Sequence, residues 1–394
     1  MSEPRFNVST QWIHVQFKES TAFPETYGFS GSHGSVHLEG ILIRPVGLAS
    51  KTLFVFMHPT GTLQLLPVPG EYAAMGMHVL CAASRYPRND SALIMEKVLL
   101  DLGAYVRHAR EVLGYEKVVL LGWSGAGSLA LFYQSQAEHP SIRDTPAGDP
   151  VDVAGAGLIP ADAVIFQAAH LSRAVMLRDS IDPSVRDEFD PDNRDVEFDL
   201  YDPANPNKPP YTADYIGEYR SRQLARMRRI TARVQETLDM LRRRGSAEVE
   251  RGFTTHRTLA DPRYLDPALE PNGRRPEWCY LGNPEVANTS PAGLARFSTL
   301  RSWLSQWSID DTRVEAVKLA AHLKITPLLV IENGADDCVP QRHAGMLYQA
   351  AASVDKEFHL IPGANHYYLG QPDLMFEAAS LVREWMRQRN LLEY

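Results

Sequence analysis

The chain has 394 residues, 44% of them hydrophobic and 22% charged, an ordinary balance that allows a large core in two domains or in one domain with a big insertion. Its net charge of −8 favours solubility and argues against nucleic acid as the main partner. Cys81, Cys279 and Cys338 are odd in number and far apart, so they suggest neither a disulfide framework nor a metal pattern. The start, Met1-Ser2-Glu3-Pro4-Arg5-Phe6-Asn7, has no apolar signal core, and no apolar run is long enough to cross a membrane. The expectation is a cytoplasmic protein with no membrane contact.

Residues 8–46 alternate, as in Trp12-Ile13-His14-Val15-Gln16-Phe17 and Val36-His37-Leu38-Glu39-Gly40-Ile41, which predicts an antiparallel entry to a sheet. Leu53-Phe54-Val55-Phe56-Met57 reads as a buried strand running into the turn His58-Pro59-Thr60-Gly61. Met77 to Ala83 reads as another strand, and residues 92–113 as a long helix. Between them, Arg85, Asn89 and Asp90 either bind a polar substrate group or tie down their own loop. Val118-Val119-Leu120-Leu121 is again a buried strand, and Gly122-Trp123-Ser124-Gly125-Ala126-Gly127 carries it abruptly into a helix. So sharp a turn forces the serine into a strained backbone and leaves no room beside it, hence glycine at 122 and small residues at 125–127. Ala163-Val164-Ile165-Phe166-Gln167 is the next strand. Such alternation of strand and helix implies a mostly parallel sheet covered on both faces.

The pattern then lapses over 171–318, too long for a loop, so a mainly helical cap over the sheet's carboxyl edge is expected. Its acidic run from Asp187 to Asp195 lacks the glycine and closing glutamate of a calcium loop. Tyr211 to Arg244 should be one long helix, with Leu224, Met227, Ile230, Val234, Leu238 and Leu241 on a core-facing stripe. Its many arginines read as a solvated face paired with the acidic loop. Trp278, Tyr280, Trp303 and Trp307 are aromatic residues able to line a roofed pocket.

Strands resume at 326, where Leu328-Leu329-Val330-Ile331 ends in the turn Gly334-Ala335-Asp336-Asp337-Cys338-Val339-Pro340. Phe358-His359-Leu360-Ile361 likewise ends in Pro362-Gly363-Ala364-Asn365-His366. A serine hydroxyl is a weak nucleophile and needs a base with a pKa near working pH, which histidine supplies, while a carboxylate fixes the histidine tautomer. The chain order serine, aspartate, histidine and the sharp turn at Ser124 resemble the α/β-hydrolase superfamily, with Ala126 where the usual pattern has glycine.

That resemblance implies an α/β-hydrolase fold with core segments 1–170 and 319–394 flanking a cap at 171–318. It implies Ser124 as nucleophile, His366 as general base and then acid, and Asp336 as the orienting carboxylate, with Asp337 the competitor. The oxyanion would be held by the N–H groups of Gly125 and Thr60, Gly61 being the fallback because Pro59 has no N–H. Trp123, beside the nucleophile, is expected to face the substrate. The implied reaction is hydrolysis of an ester or lactone of a bulky, aromatic or polycyclic small molecule through an acyl-enzyme, without metal or organic cofactor. Carbon–carbon or amide cleavage and acyl transfer on the same residues are the alternatives, followed by a hydrolase-like binding protein without turnover. A homo-oligomer is left open.

Overall fold

The computed structural model describes residues 5–19 and 34–393. Eight strands form the main sheet: β1 (Val8–Lys18), β2 (Ser35–Pro45), β3 (Thr52–His58), β4 (His78–Ala83), β5 (Lys117–Ser124), β6 (Ala163–Ala169), β11 (Leu328–Asn333) and β12 (Lys356–Ile361). Their order is β1-β2-β4-β3-β5-β6-β11-β12. The β1–β2 and β2–β4 pairs are antiparallel, and every pair from β4 to β12 is parallel. This is the α/β-hydrolase fold.

The unbroken apolar runs of β3 to β6 follow from burial on both faces. Along β3, Leu53, Val55 and Met57 join one core with Leu99 and Leu102 of α2 (Met95–Glu111) and Leu129 of α3 (Gly125–Glu138). The alternate residues Phe54 and Phe56 join a second core with Tyr72 of α1 (Pro67–Ala74) and with Val382 and Trp385 of the C-terminal helix Pro372–Gln388. A period of two thus divides each strand between two helical layers.

Between β6 and β11 lies the long insertion. It contains α4 (Arg173–Ser180), the hairpin β7 (Val185–Asp187) and β8 (Asp190–Arg194), the 32-residue α5 (Ala213–Arg244), and a small antiparallel pair, β9 (Gly252–Thr254) and β10 (Phe297–Thr299). Thr212 caps α5 by accepting the Tyr215 N–H, and Gly245 ends it in the left-handed conformation. The stripe Met227, Ile230, Val234, Leu238 and Leu241 packs on Trp303, Leu304 and Trp307, whereas Leu224 is only half-buried.

The expectation of solvated arginines on α5 holds for Arg228, Arg242 and Arg244, which are exposed, and for the partly exposed Arg222, and needs correction at Arg226. Arg222 does reach Asp195 of the acidic run, but the Arg226 side chain is fully buried, paired with Glu188 at 2.7 Å and donating to the Asp182 and His256 carbonyls. Arg220 is likewise drawn inward onto Asp261. A guanidinium has five donors, so it can be buried where several carbonyls and a carboxylate converge.

One buried acid joins the insertion to the core. The Ser305 hydroxyl donates to Glu96 at 2.8 Å and accepts the Met95 N–H at 2.8 Å. Burial pushes the Glu96 carboxyl up from 4.5 to about 7. Between those values the folded protein holds a proton that the unfolded chain has lost, so this contribution to stability falls as pH rises and is gone above about 7. Glu96→Gln, which stays neutral, should remove a pH-dependent component on the order of 3 kcal/mol. Melting curves of both proteins from pH 5 to 8 check this: the gap should widen in the variant's favour as pH rises, and parallel curves would refute it.

Candidate active site

At the carboxyl end of β5 the chain turns directly into α3, and Ser124 at the junction has φ 55° and ψ −125°. A side-chain-bearing residue rarely adopts that conformation, and tight packing imposes it. A Cβ at Gly122 would lie 2.4 Å from the Gly127 Cα, and one at Gly127 would lie 2.4 Å from the Ala169 Cβ. Both glycines therefore let α3 approach β5 and β6. Ala126, where glycine was expected, is buried without difficulty.

The turns after β11 and β12 bring in the other two groups. His366 Nε2 is 3.2 Å from Ser124 Oγ, and His366 Nδ1 is 3.0 Å from Asp336 Oδ2. Asp336 Oδ1 accepts the N–H groups of Cys338 and Val339 at 2.8 and 2.7 Å, which fixes the carboxylate within its turn. Asp337 makes no such contact with His366; its Oδ1 is buried without a partner among the described residues. Burial, and then the charge of Asp336, raise the Asp337 carboxyl above its ordinary value.

Trp123 lies against the histidine, ring centroids 4.5 Å apart, and its Nε1 donates to the His366 carbonyl at 3.3 Å. Beneath, a buried polar chain holds the histidine's loop. Tyr72 donates to Gln167 at 2.6 Å, Gln167 to Tyr368 at 3.0 Å, Tyr368 to Asn333 at 2.8 Å, and Asn333 to the Asn365 carbonyl at 2.8 Å. Sequence reasoning missed this chain, whose members lie on elements far apart.

The His58 turn departs from expectation. The N–H of Thr60 donates to His58 Nδ1 at 3.2 Å, and the fallback, Gly61, donates to the same atom at 2.8 Å. Thr60 therefore does not present a free N–H, because Pro59 leaves the turn short of a donor and the imidazole organises the next two. Gly125 keeps its expected position at the first residue of α3, where no helical partner takes its N–H. Two histidines crowd beside it: a Cβ at Gly125 would lie 2.7 Å from His58 Nε2 and 3.3 Å from His170 Nε2. Burial above all lowers both imidazoles, His58 to about 3, so both are neutral near pH 7.

A cavity of about 590 Å³ opens over Ser124. Trp123, His58 and Tyr367 line it from the core, and Arg173, Met176, Tyr280 and Trp307 line it from the insertion. Of the four aromatic residues singled out in the insertion, Tyr280 and Trp307 reach the cavity. Trp303 is instead core, its Nε1 donating to Thr231 at 2.9 Å, and Trp278 stacks under Arg275. Arg85 ties down its loop through Asp101 at 2.7 Å, while Asn89 and Asp90 face the cavity. Asp90 pairs with Arg173, whose guanidinium lies 4.3 Å from the Trp307 ring centroid. Among the described residues no cluster of three or more acidic, histidine or cysteine side chains could hold a metal ion, and no helix is long and apolar enough to cross a membrane.

No protein-family model matches the chain, and no curated protein matches it significantly. Solved structures do. DcsB, solved with its substrate analogue, superposes with a TM-score of 0.51 at 12% identity over 96% of this chain and 99% of that one. The hypothetical protein PA2218 from Pseudomonas aeruginosa gives 0.49 at 15% identity over 96% and 94% of the two chains. Est1E from Butyrivibrio proteoclasticus gives 0.46 at 12% over 89% and 96%. At such identities the likeness is one of fold.

Proposed function

We propose that this chain, built on the α/β-hydrolase fold, hydrolyses a carboxylic ester or lactone through an acyl-enzyme on Ser124. The observation that carries the reading is the continuous hydrogen-bonded line Ser124–His366–Asp336, spaced 3.2 and 3.0 Å, at a serine with φ 55° beneath a cavity. In this reading Ser124 Oγ attacks the ester carbonyl carbon while His366 Nε2 takes the hydroxyl proton. The tetrahedral intermediate collapses by breaking the bond to the alcohol oxygen, which leaves with that proton. Water, deprotonated by the same nitrogen, then attacks the acyl carbon and releases the acid and Ser124. Asp336 holds the tautomer that leaves Nε2 free to accept, and Gly125 N–H faces the developing oxyanion.

Residues 171–318 act as a cap in this proposal, because Arg173, Met176, Tyr280 and Trp307 reach over the serine from them. The aromatic walls favour a bulky aromatic or polycyclic small molecule. Burying a further ~60 Å² of apolar surface at about 25 cal/mol per Å² adds roughly 1.5 kcal/mol, about tenfold in affinity. A panel of acetyl, aryl and polycyclic esters and lactones should therefore show kcat/KM at least about tenfold higher for the bulky members. Best cleavage of small acetates, with bulky esters refused, would reject this substrate class. The hydrolytic reading is tested separately by treatment with a fluorophosphonate and mapping of the modified peptide. The adduct belongs on Ser124, and a protein left unmodified and inactive on the whole panel would defeat the proposal.

A further inference from the structure

The second oxyanion donor has been left unassigned by the turn after β3. In the α/β-hydrolase pattern a backbone N–H supplies it, yet here the two eligible N–H groups, on Thr60 and Gly61, both point at His58 Nδ1. That arrangement settles the imidazole's own proton. A ring nitrogen accepting two N–H groups carries no hydrogen, so the neutral ring bears its proton on Nε2. Among the described residues no group pairs with Nε2, while the residue itself lines the cavity over Ser124. Nε2 also lies beside the first donor's residue, 2.7 Å from where a Gly125 Cβ would stand. Glycine is needed at 125 for the imidazole to come this close, and at 61, where a Cβ would stand 3.0 Å from the ring's Cγ and Nδ1.

We infer that the His58 side chain, through Nε2–H, is the second oxyanion donor and works opposite the Gly125 N–H, with the Thr60 and Gly61 amides serving to fix its tautomer. The inference rests on the hydrolytic reading above. A side-chain donor of this kind is held by its loop before any substrate arrives, which is the condition for electrostatic stabilisation without reorganisation. His170, the other imidazole beside Gly125, stands farther off, its Nε2 3.3 Å from that Cβ position against 2.7 Å for His58, and its Nδ1 is buried without a partner among the described residues.

The test uses amide side chains that copy one ring nitrogen each. Asparagine at 58 keeps an acceptor where Nδ1 stands and has no donor where Nε2 stands; glutamine does the reverse. The readout is the rate of Ser124 modification by a fluorophosphonate, whose phosphoryl oxygen occupies the oxyanion position, so no natural substrate need be known. With melting temperature unchanged, His58→Asn should slow modification by about 10²-fold, the usual effect of losing one oxyanion donor. His58→Gln should be slowed by no more than about tenfold, and His170→Asn should stay near wild type. Unaltered modification of His58→Asn overturns the inference, as does a deeper loss in His58→Gln than in His58→Asn, which would mark a loop-holding role alone. Wild-type protein that resists the reagent altogether overturns the hydrolytic reading, and this inference with it.

Discussion

Replacing Ser124 by alanine is expected to reduce kcat by about 10⁶-fold, as loss of the serine does in other triads, while the protein still folds. The variant loses one oxygen, whose contact in the free protein is the 3.2 Å approach to His366. It keeps the backbone conformation at φ 55°, because the approach of Gly127 to Gly122 imposes that conformation whatever side chain stands at 124. Turnover of an aryl ester and thermal melting, measured side by side, separate the two effects. A folded variant with wild-type turnover would remove Ser124 from the chemistry.

The second large effect belongs to the carboxylates at 336 and 337. Asp336→Asn should lower kcat by on the order of 10³ to 10⁴ with little change in KM, because the amide still fills the turn but favours the wrong histidine tautomer. Asp337→Asn should stay within a few-fold of wild type, since the His366 ring nitrogen Nδ1 pairs with Asp336 and not with Asp337. Rates at saturating substrate decide it, and a larger loss at 337 than at 336 would reverse the assignment.

Much of the site could be read from residue order because its parts lie where buried strands stop. The elbow at Ser124 announces itself through glycine and alanine neighbours that no other turn would require, and the structure shows Gly122 and Gly127 in direct conflict with any added Cβ. The preference for Asp336 over Asp337 agrees with the hydrogen bond to His366, although the sequence pattern separated them only weakly. What escaped was orientation. Thr60 and Gly61 were correctly placed in the turn after β3, but nothing in the residue order says that a side chain two or three positions back captures both amides. Burial of Arg226 escaped for a related reason: a charged run on a helix looks solvated until the Asp182 and His256 carbonyls that converge on the guanidinium are known. The strands β7 to β10, of three to five residues each, are too short to leave a periodic trace.

The neighbouring strands β6 and β11, with Val164 opposite Leu328, are separated by some 160 residues of chain. Closing so long a loop adds little thermodynamic penalty, since each doubling in length costs only about 0.6 kcal/mol, but it dictates a timetable during synthesis. The strand and helix that flank Ser124 leave the ribosome early, and the edge of β6 must wait for the whole insertion before β11 can pair with it. Asp336 and His366 arrive only on the turns that follow β11 and β12. Under the proposed reaction an unfinished chain thus carries Ser124 without His366, and reactivity is withheld until the last strands are in place.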